Sequence, residues 1–82
     1  MLNNPQREAV IEKLIGLLRE KRMQKKLSVN EVATRSGLSR AMVSRVEKGE
    51  RLPTIDTLLR ISEALEIDLA RLLRKAVNSV RK

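Results

Sequence analysis

Arg40 and Arg45 are the side chains of this sequence best fitted to chemistry with a defined partner. Each guanidinium carries paired donors, the pattern that matches O6 and N7 of guanine in the major groove of duplex DNA. Both stand in the stretch SRAMVSRVEKG, where Val43 and Val46 make the apolar side of a short helix. With the valines turned inward, Arg40, Ala41, Ser44, Arg45 and Lys48 point outward by helical geometry. Ser44 can donate or accept, and Ala41 can meet a thymine methyl. The alternative for either arginine is a phosphate contact or a solvated helix start, because many protein–DNA hydrogen bonds go to the backbone.

The elements around these residues would hold them in place. Ser28 has the capping position of a short helix, with Glu31 three residues on at capping-box spacing. Val29, Val32 and Ala33 give that helix an apolar face, and Gly37 ends it by supplying a left-handed conformation. Ser39 caps the next helix, which is expected from about Arg40 to Lys48 and stops at Gly49. This is a helix-turn-helix over about residues 28–48, a layout whose second helix can enter the major groove. Small Ala33 lets the two helices cross closely. Free amides at helix starts bind phosphates, which makes Ser28, Val29, Asn30 and Ser39 phosphate candidates. Lys48, Arg51 and Thr54 can clamp a phosphate on the far side, the alternative for Lys48 and Arg51 being plain solvation.

Helices this short are marginal alone in water, so the rest of the chain must brace them. A first helix is expected from about Pro5 to Lys25, with Asn4 as its cap. Ala9, Val10, Leu14, Leu17, Leu18 and Lys21 lie along its stripe, with Ile11, Ile15 and Met23 beside it. Pro53-Thr54 opens a fourth helix whose stripe is Ile55, Leu58, Leu59, Ile61, Ser62 and Leu65. Asp68 caps a fifth that carries Leu69, Leu72, Leu73, Ala76, Val77 and Val80. No run alternates with the period of a strand, so no sheet is expected. The expected architecture is one all-α domain over residues 1–82. The extra apolar surface of the last helix has two readings. Ile67, Leu69, Leu72 and Val80 form the seam of a homodimer, the reading favoured here, or the two ends of the chain pack on each other. The basic end, Arg74, Lys75, Arg81 and Lys82, touches DNA flanks or is solvated, and solvation is favoured.

Composition narrows the function classes. The 82 residues carry a formal net charge of +8, which favours a polyanionic partner. The chain has no Phe, Tyr or Trp, which argues against single-strand binding by base stacking. It also lacks Cys and His, which removes zinc fingers, disulfides and the commonest general base. No cofactor, metal or enzymatic activity is expected, since nothing resembles a nucleophile–base pair or a metal cluster. No segment reaches membrane-spanning length and the start does not read as a secretory signal. A soluble, cytoplasmic, nucleoid-associated protein with no membrane partner is expected. The glycine- and cap-punctuated pattern also argues against one long membrane-surface helix.

The segment KRMQKKLSVNEVATRSGLSRAMVSRVEKGERLPTIDTLLRISEALEIDLARLL resembles the helix-turn-helix domain of phage repressor and Cro proteins, the xenobiotic-response-element-like regulators. The resemblance covers about Leu14 to Leu73 and implies a five-helix, lambda-repressor-like fold, here with extended first and last helices. It further implies sequence-specific binding to operator DNA and a homodimer on a two-fold site. The family's base-facing positions fall on Arg40, Ala41, Ser44 and Arg45, and its helix-capping position on Ser28. Where the family commonly has a phosphate-binding Gln, this chain has Val29. An ion pair between Arg22 and Glu47, partly buried and structural, is implied in the same way. Two turn positions often occupied by Gly are Lys26 and Glu66 here, so these backbones are either left-handed and strained or differently turned. A transcriptional repressor or autoregulator is the leading expectation. The alternatives are an antitoxin or adaptor that binds a toxin or other protein, and a controller of restriction–modification genes.

Overall fold

Each helix begins at a polar side chain that closes on the backbone three residues later. Asn3 accepts from the Gln6 amide at 2.9 Å while the Gln6 side chain accepts from the Asn3 amide at 3.0 Å. This box, with Pro at the start, opens α1 over Asn4–Gln24. The cap is therefore Asn3 and not Asn4, because only Asn3 has the glutamine at the reciprocal spacing. Ser28 and Glu31 form the second box and open α2 over Val29–Ser36. Ser39 caps α3, Arg40–Glu47. Thr54 caps α4, Ile55–Leu65, and Asp68 caps α5, Leu69–Val80. The computed structural model describes residues 2–81. Among these there are five helices and no strand, and no helix is long and apolar enough to cross a membrane.

Four helices end in the same way. The residue after the last turn is left-handed at Lys26, Gly37, Gly49 and Glu66. The following amide then reaches back to close the turn: Leu27 to the Arg22 carbonyl, Leu38 to Ala33, Glu50 to Arg45 and Ile67 to Ser62, at 2.9–3.1 Å. Repeated use of this ending reverses the chain tightly and stacks short helices into a small volume. At Gly37 the conformation suits the residue. Lys26 and Glu66 pay a steric penalty of about 1–3 kcal/mol each for a side chain at positive φ. Lys26→Gly and Glu66→Gly are each expected to raise stability by about 1 kcal/mol, the relief of strain exceeding the added freedom of the unfolded chain. Reversible thermal unfolding checks this; a lower midpoint for both variants would show that the turns are unstrained.

The core draws on all five helices. Val10, Leu14, Ile15, Leu17 and Leu18 of α1 meet Val32 and Ala33 of α2, Val43 and Val46 of α3, Leu58, Ile61, Ala64 and Leu65 of α4, and Leu72 and Ala76 of α5. The main packing of α5 is along α1, and α3 is held between α1 and α2. This arrangement bears on the seam residues and corrects the stripe expected on α4. Leu72 is buried within its own chain, while Ile67, Leu69 and Val80 pack partly buried against the same core. Much of the apolar surface of α5 is thus packed within the chain, along α1. On α4, Ile55 and Leu59 are 66% and 45% exposed. At about 100° per residue they fall on the margin of the stripe centred on Leu58, Ile61 and Leu65. Met23 and Leu73 are exposed as well.

Candidate nucleic-acid interface

The second helix of the motif is fixed by its buried side and free on the other. Val43 and Val46 are each 1% exposed, deep in the core. Arg40, Ala41, Arg45 and Lys48 are exposed, and Ser44 is half-buried. Ser39 accepts from the Met42 amide at 3.0 Å, which leaves the amides of Arg40 and Ala41 unpartnered in the first turn, as at any helix start. The sole carboxylate of α3, Glu47, is turned away and bound by Arg22. Nε and Nη2 of Arg22 donate to the two oxygens of Glu47 at 2.7 and 2.9 Å, and Nη1 donates to the Leu27 carbonyl at 2.8 Å. One guanidinium therefore ties α1, the turn into α2 and the last turn of α3. The outward face of α3 is left with two guanidinium groups, a small methyl side chain and no acid.

The start of α2 lies beside this face. A cleft of about 210 Å³ is lined by Val29, Ser44, Glu47, Lys48, Arg19 and Arg22. The Ser28 amide is already spent on Glu31 Oε1 at 3.1 Å, and its hydroxyl accepts from the Glu31 amide at 3.0 Å. What Ser28 can still offer is its hydroxyl proton. The amides of Val29 and Asn30 remain free of helical partners, so the absence of a Gln at position 29 does not remove the backbone donors. Arg19 was not among the sequence-derived candidates. It lies three residues before Arg22, on the same side of α1, and this spacing to the ion-pair arginine is the signal that marks it.

On the far side the candidates are less free. Lys48 and Arg51 share a groove of about 380 Å³ with Ile11, Ile15 and Leu52 and with the carboxylates of Glu8 and Glu12. A phosphate there would compete with two acids. Thr54 accepts from the Thr57 amide at 3.1 Å and donates to the Thr57 hydroxyl at 3.0 Å. Its side chain is internally satisfied, and the exposed backbone at the start of α4 is what it can present. Of the basic end, Arg74, Lys75 and Arg81 are exposed, and Lys82 lies outside the described residues.

The α2 cap gives this region a pH dependence. The Ser28 backbone amide, then its side chain, then the Arg35 charge hold the Glu31 carboxyl below its ordinary value. A carboxylate with a lowered folded-state pKa adds stability above its unfolded pKa and loses it as pH falls through the folded one. Glu31→Gln is therefore expected to flatten part of the acid limb of the thermal midpoint, below the ordinary carboxylate range. The same acid limb in both proteins would mean the box does not bind the ionised form preferentially.

A family model described as helix-turn-helix matches residues 18–72. The HTH-type transcriptional repressor RghR of Bacillus subtilis (strain 168) is 45% identical over 60 residues, 72% of this chain and 44% of RghR. The ImmF control region 10 kDa protein of Bacillus phage phi105 is 40% identical over 58 residues, 71% of this chain and 64% of that protein. The chain thus spans less than two thirds of the length of either relative. The crystal structure of the clp gene regulator ClgR from C. glutamicum superposes with a TM-score of 0.75 at 28% identity, covering 85% of this chain and 91% of that one.

Proposed function

This chain belongs to the helix-turn-helix family of phage repressor and Cro-type transcriptional regulators, and we propose that it acts as a repressor or autoregulator by sequence-specific binding to double-stranded DNA. In this reading α3 lies in the major groove. Arg40 and Arg45 read guanines, Ala41 meets a thymine methyl and Ser44 supplies an adaptable hydroxyl. The amides of Val29 and Asn30, with Arg19, Ser39 and Lys48, take phosphates. The observation that carries it is the two-sidedness of α3: valines 1% exposed on one side, and a cationic, acid-free side facing solvent on the other. Arg51 and the backbone at Thr54 are secondary phosphate contacts.

A homodimer on a two-fold symmetric site belongs to the same proposal, with the copies of α3 about 34 Å apart. Ile67, Leu69 and Val80 can contribute at most the edges that remain exposed, since Leu72 is buried in its own core. Among the described residues, the one run of neighbouring uncovered apolar side chains lies on and before α4: Leu52 at 72% exposure, with Ile55 and Leu59 after it, while Met23 and Leu73 stand apart in the sequence. Leu59→Lys, at an exposed position, is expected to weaken self-association and cooperative binding to a two-fold site without changing the thermal midpoint. Unchanged sedimentation and cooperativity would place the seam elsewhere.

Selection from a random duplex pool tests the reading. Recovered sequences are expected to share a motif with inverted half-sites, and affinity should fall with salt at a slope of about −0.9 per phosphate contact. A pool without a motif, or binding indifferent to salt, would refute it.

A further inference from the structure

A second cationic surface lies away from α3. Lys13 and Lys21 on α1 and Arg71, Arg74 and Lys75 on α5 line a groove of about 630 Å³, with Asn78 and Ser79 at its side and no carboxylate in its lining. Among the described residues the ion pairs are Arg22–Glu47 and Asp56–Arg60, so none of the five is in one. Glu12 and Glu20 lie in the adjoining groove with Lys13. Keeping five like charges together costs stability through mutual repulsion, and an anion seated among them removes that cost.

The position of the groove limits its partner. On α1, Lys13 and Arg22 are nine residues apart, two and a half turns at about 3.6 residues per turn. They point to opposite sides of the helix, and Arg22 marks the side that holds α3. A duplex read by α3 is stiff over about 150 base pairs and does not curl around this small body to reach the other side. An acidic protein surface fits poorly. Protein interfaces rely on an apolar centre, and Leu72, the groove's one large apolar side chain, is buried. Lysine, arginine, asparagine and serine are the side chains that contact phosphate backbones. Lys13, Arg74, Lys75, Asn78 and Ser79 also lie outside the stretch 18–72 that matches the family model. Lys21, Arg71 and Leu72 lie inside that stretch, so the parts of α1 and α5 beyond it complete the groove.

We propose that this groove is a second, sequence-independent DNA site that takes the phosphate backbone of a duplex segment other than the one read by α3, so that one domain bridges two segments. The proposal rests on the reading of α3 given above. To test it, a selected duplex is immobilised and loaded with the full chain, and a labelled duplex of unrelated sequence is then added at low salt. Retention of the label per protein bound is measured. The wild type is expected to hold the second duplex. Arg71→Gln/Arg74→Gln/Lys75→Gln, all exposed positions filled by a good helix former, should hold at least about tenfold less, with a salt slope smaller by about 2–3. Lys13→Gln, on the other wall, should give a smaller loss. Equal retention by wild type and triple variant, or none by the loaded wild type, would overturn the groove proposal alone. Failure of the protein to load on the first duplex would overturn the reading of α3 and this proposal with it.

Discussion

Arg22→Ala is expected to lower the stability of this fold by about 3–5 kcal/mol, far more than removal of an exposed ion pair. The reason is geometric. Both side chains are 14% exposed and meet through two short hydrogen bonds. Truncating the arginine leaves the Glu47 carboxylate screened from water without a cation, and the Leu27 carbonyl loses its donor as well. A buried charge without a partner, and not the attraction itself, supplies most of that cost. Glu47→Ala should fall in the same range for the converse reason, while replacing both residues by Met should recover most of the loss. A double-mutant cycle in chemical denaturation measures the coupling directly. Single losses below about 1 kcal/mol would place the pair with solvent-screened surface bridges. The pair also bears on recognition. It is the tie between the scaffold helix α1 and the end of α3, so the double-Met variant is expected to fold yet bind DNA less selectively.

How far the sequence reveals this arrangement depends on whether a feature is set locally. The caps at Ser28, Ser39 and Asp68, the turn at Gly37 and the inward pair Val43–Val46 follow from spacing over three or four residues, and each is found as expected. The same local reading misplaces the cap of α1 by one residue, because Asn3 and Asn4 are equivalent until Gln6 selects between them. Two kinds of feature escape it. The first is the apolar residue that lies on the margin of a stripe. Ile55 and Leu59 look like core at helical spacing, yet the centre of the buried face is set by which helices α4 meets. The second is the choice between intrachain and interchain burial. Leu72 is equally apt for a homodimer seam or for the groove left by α1, and its burial in its own chain comes from the packing of α5 along α1, which no local spacing records. The left-handed turns at Lys26 and Glu66 fall between these cases. The positions are evident from the pattern, but two side chains disfavoured there leave the conformation open until the closing hydrogen bonds to Arg22 and Ser62 are located.

Arg45→Ala is expected to cost about 1–3 kcal/mol on a selected site and to relax the preference at one base pair. Its side chain is exposed at the middle of the outward face of α3, with no carboxylate of that helix to compete for it, so truncation should leave the fold intact. Arg40→Ala should act at a different base pair, and the two losses should be roughly additive if each reads its own base. A phosphate contact behaves otherwise. Lys48→Ala or Arg19→Ala should weaken specific and random duplexes alike and reduce the salt slope by about one. Measuring each variant against the selected duplex, single-base variants of it and a random duplex separates the two roles. Equal losses for Arg45→Ala on every duplex would move Arg45 into the phosphate set. The base-reading role would then fall to Arg40, Ser44 and Ala41, which present one guanidinium, one hydroxyl and one methyl. That face would still tell guanine and thymine positions apart, but with a single bidentate contact per subunit, and specificity would depend on two-fold repetition of the half-site.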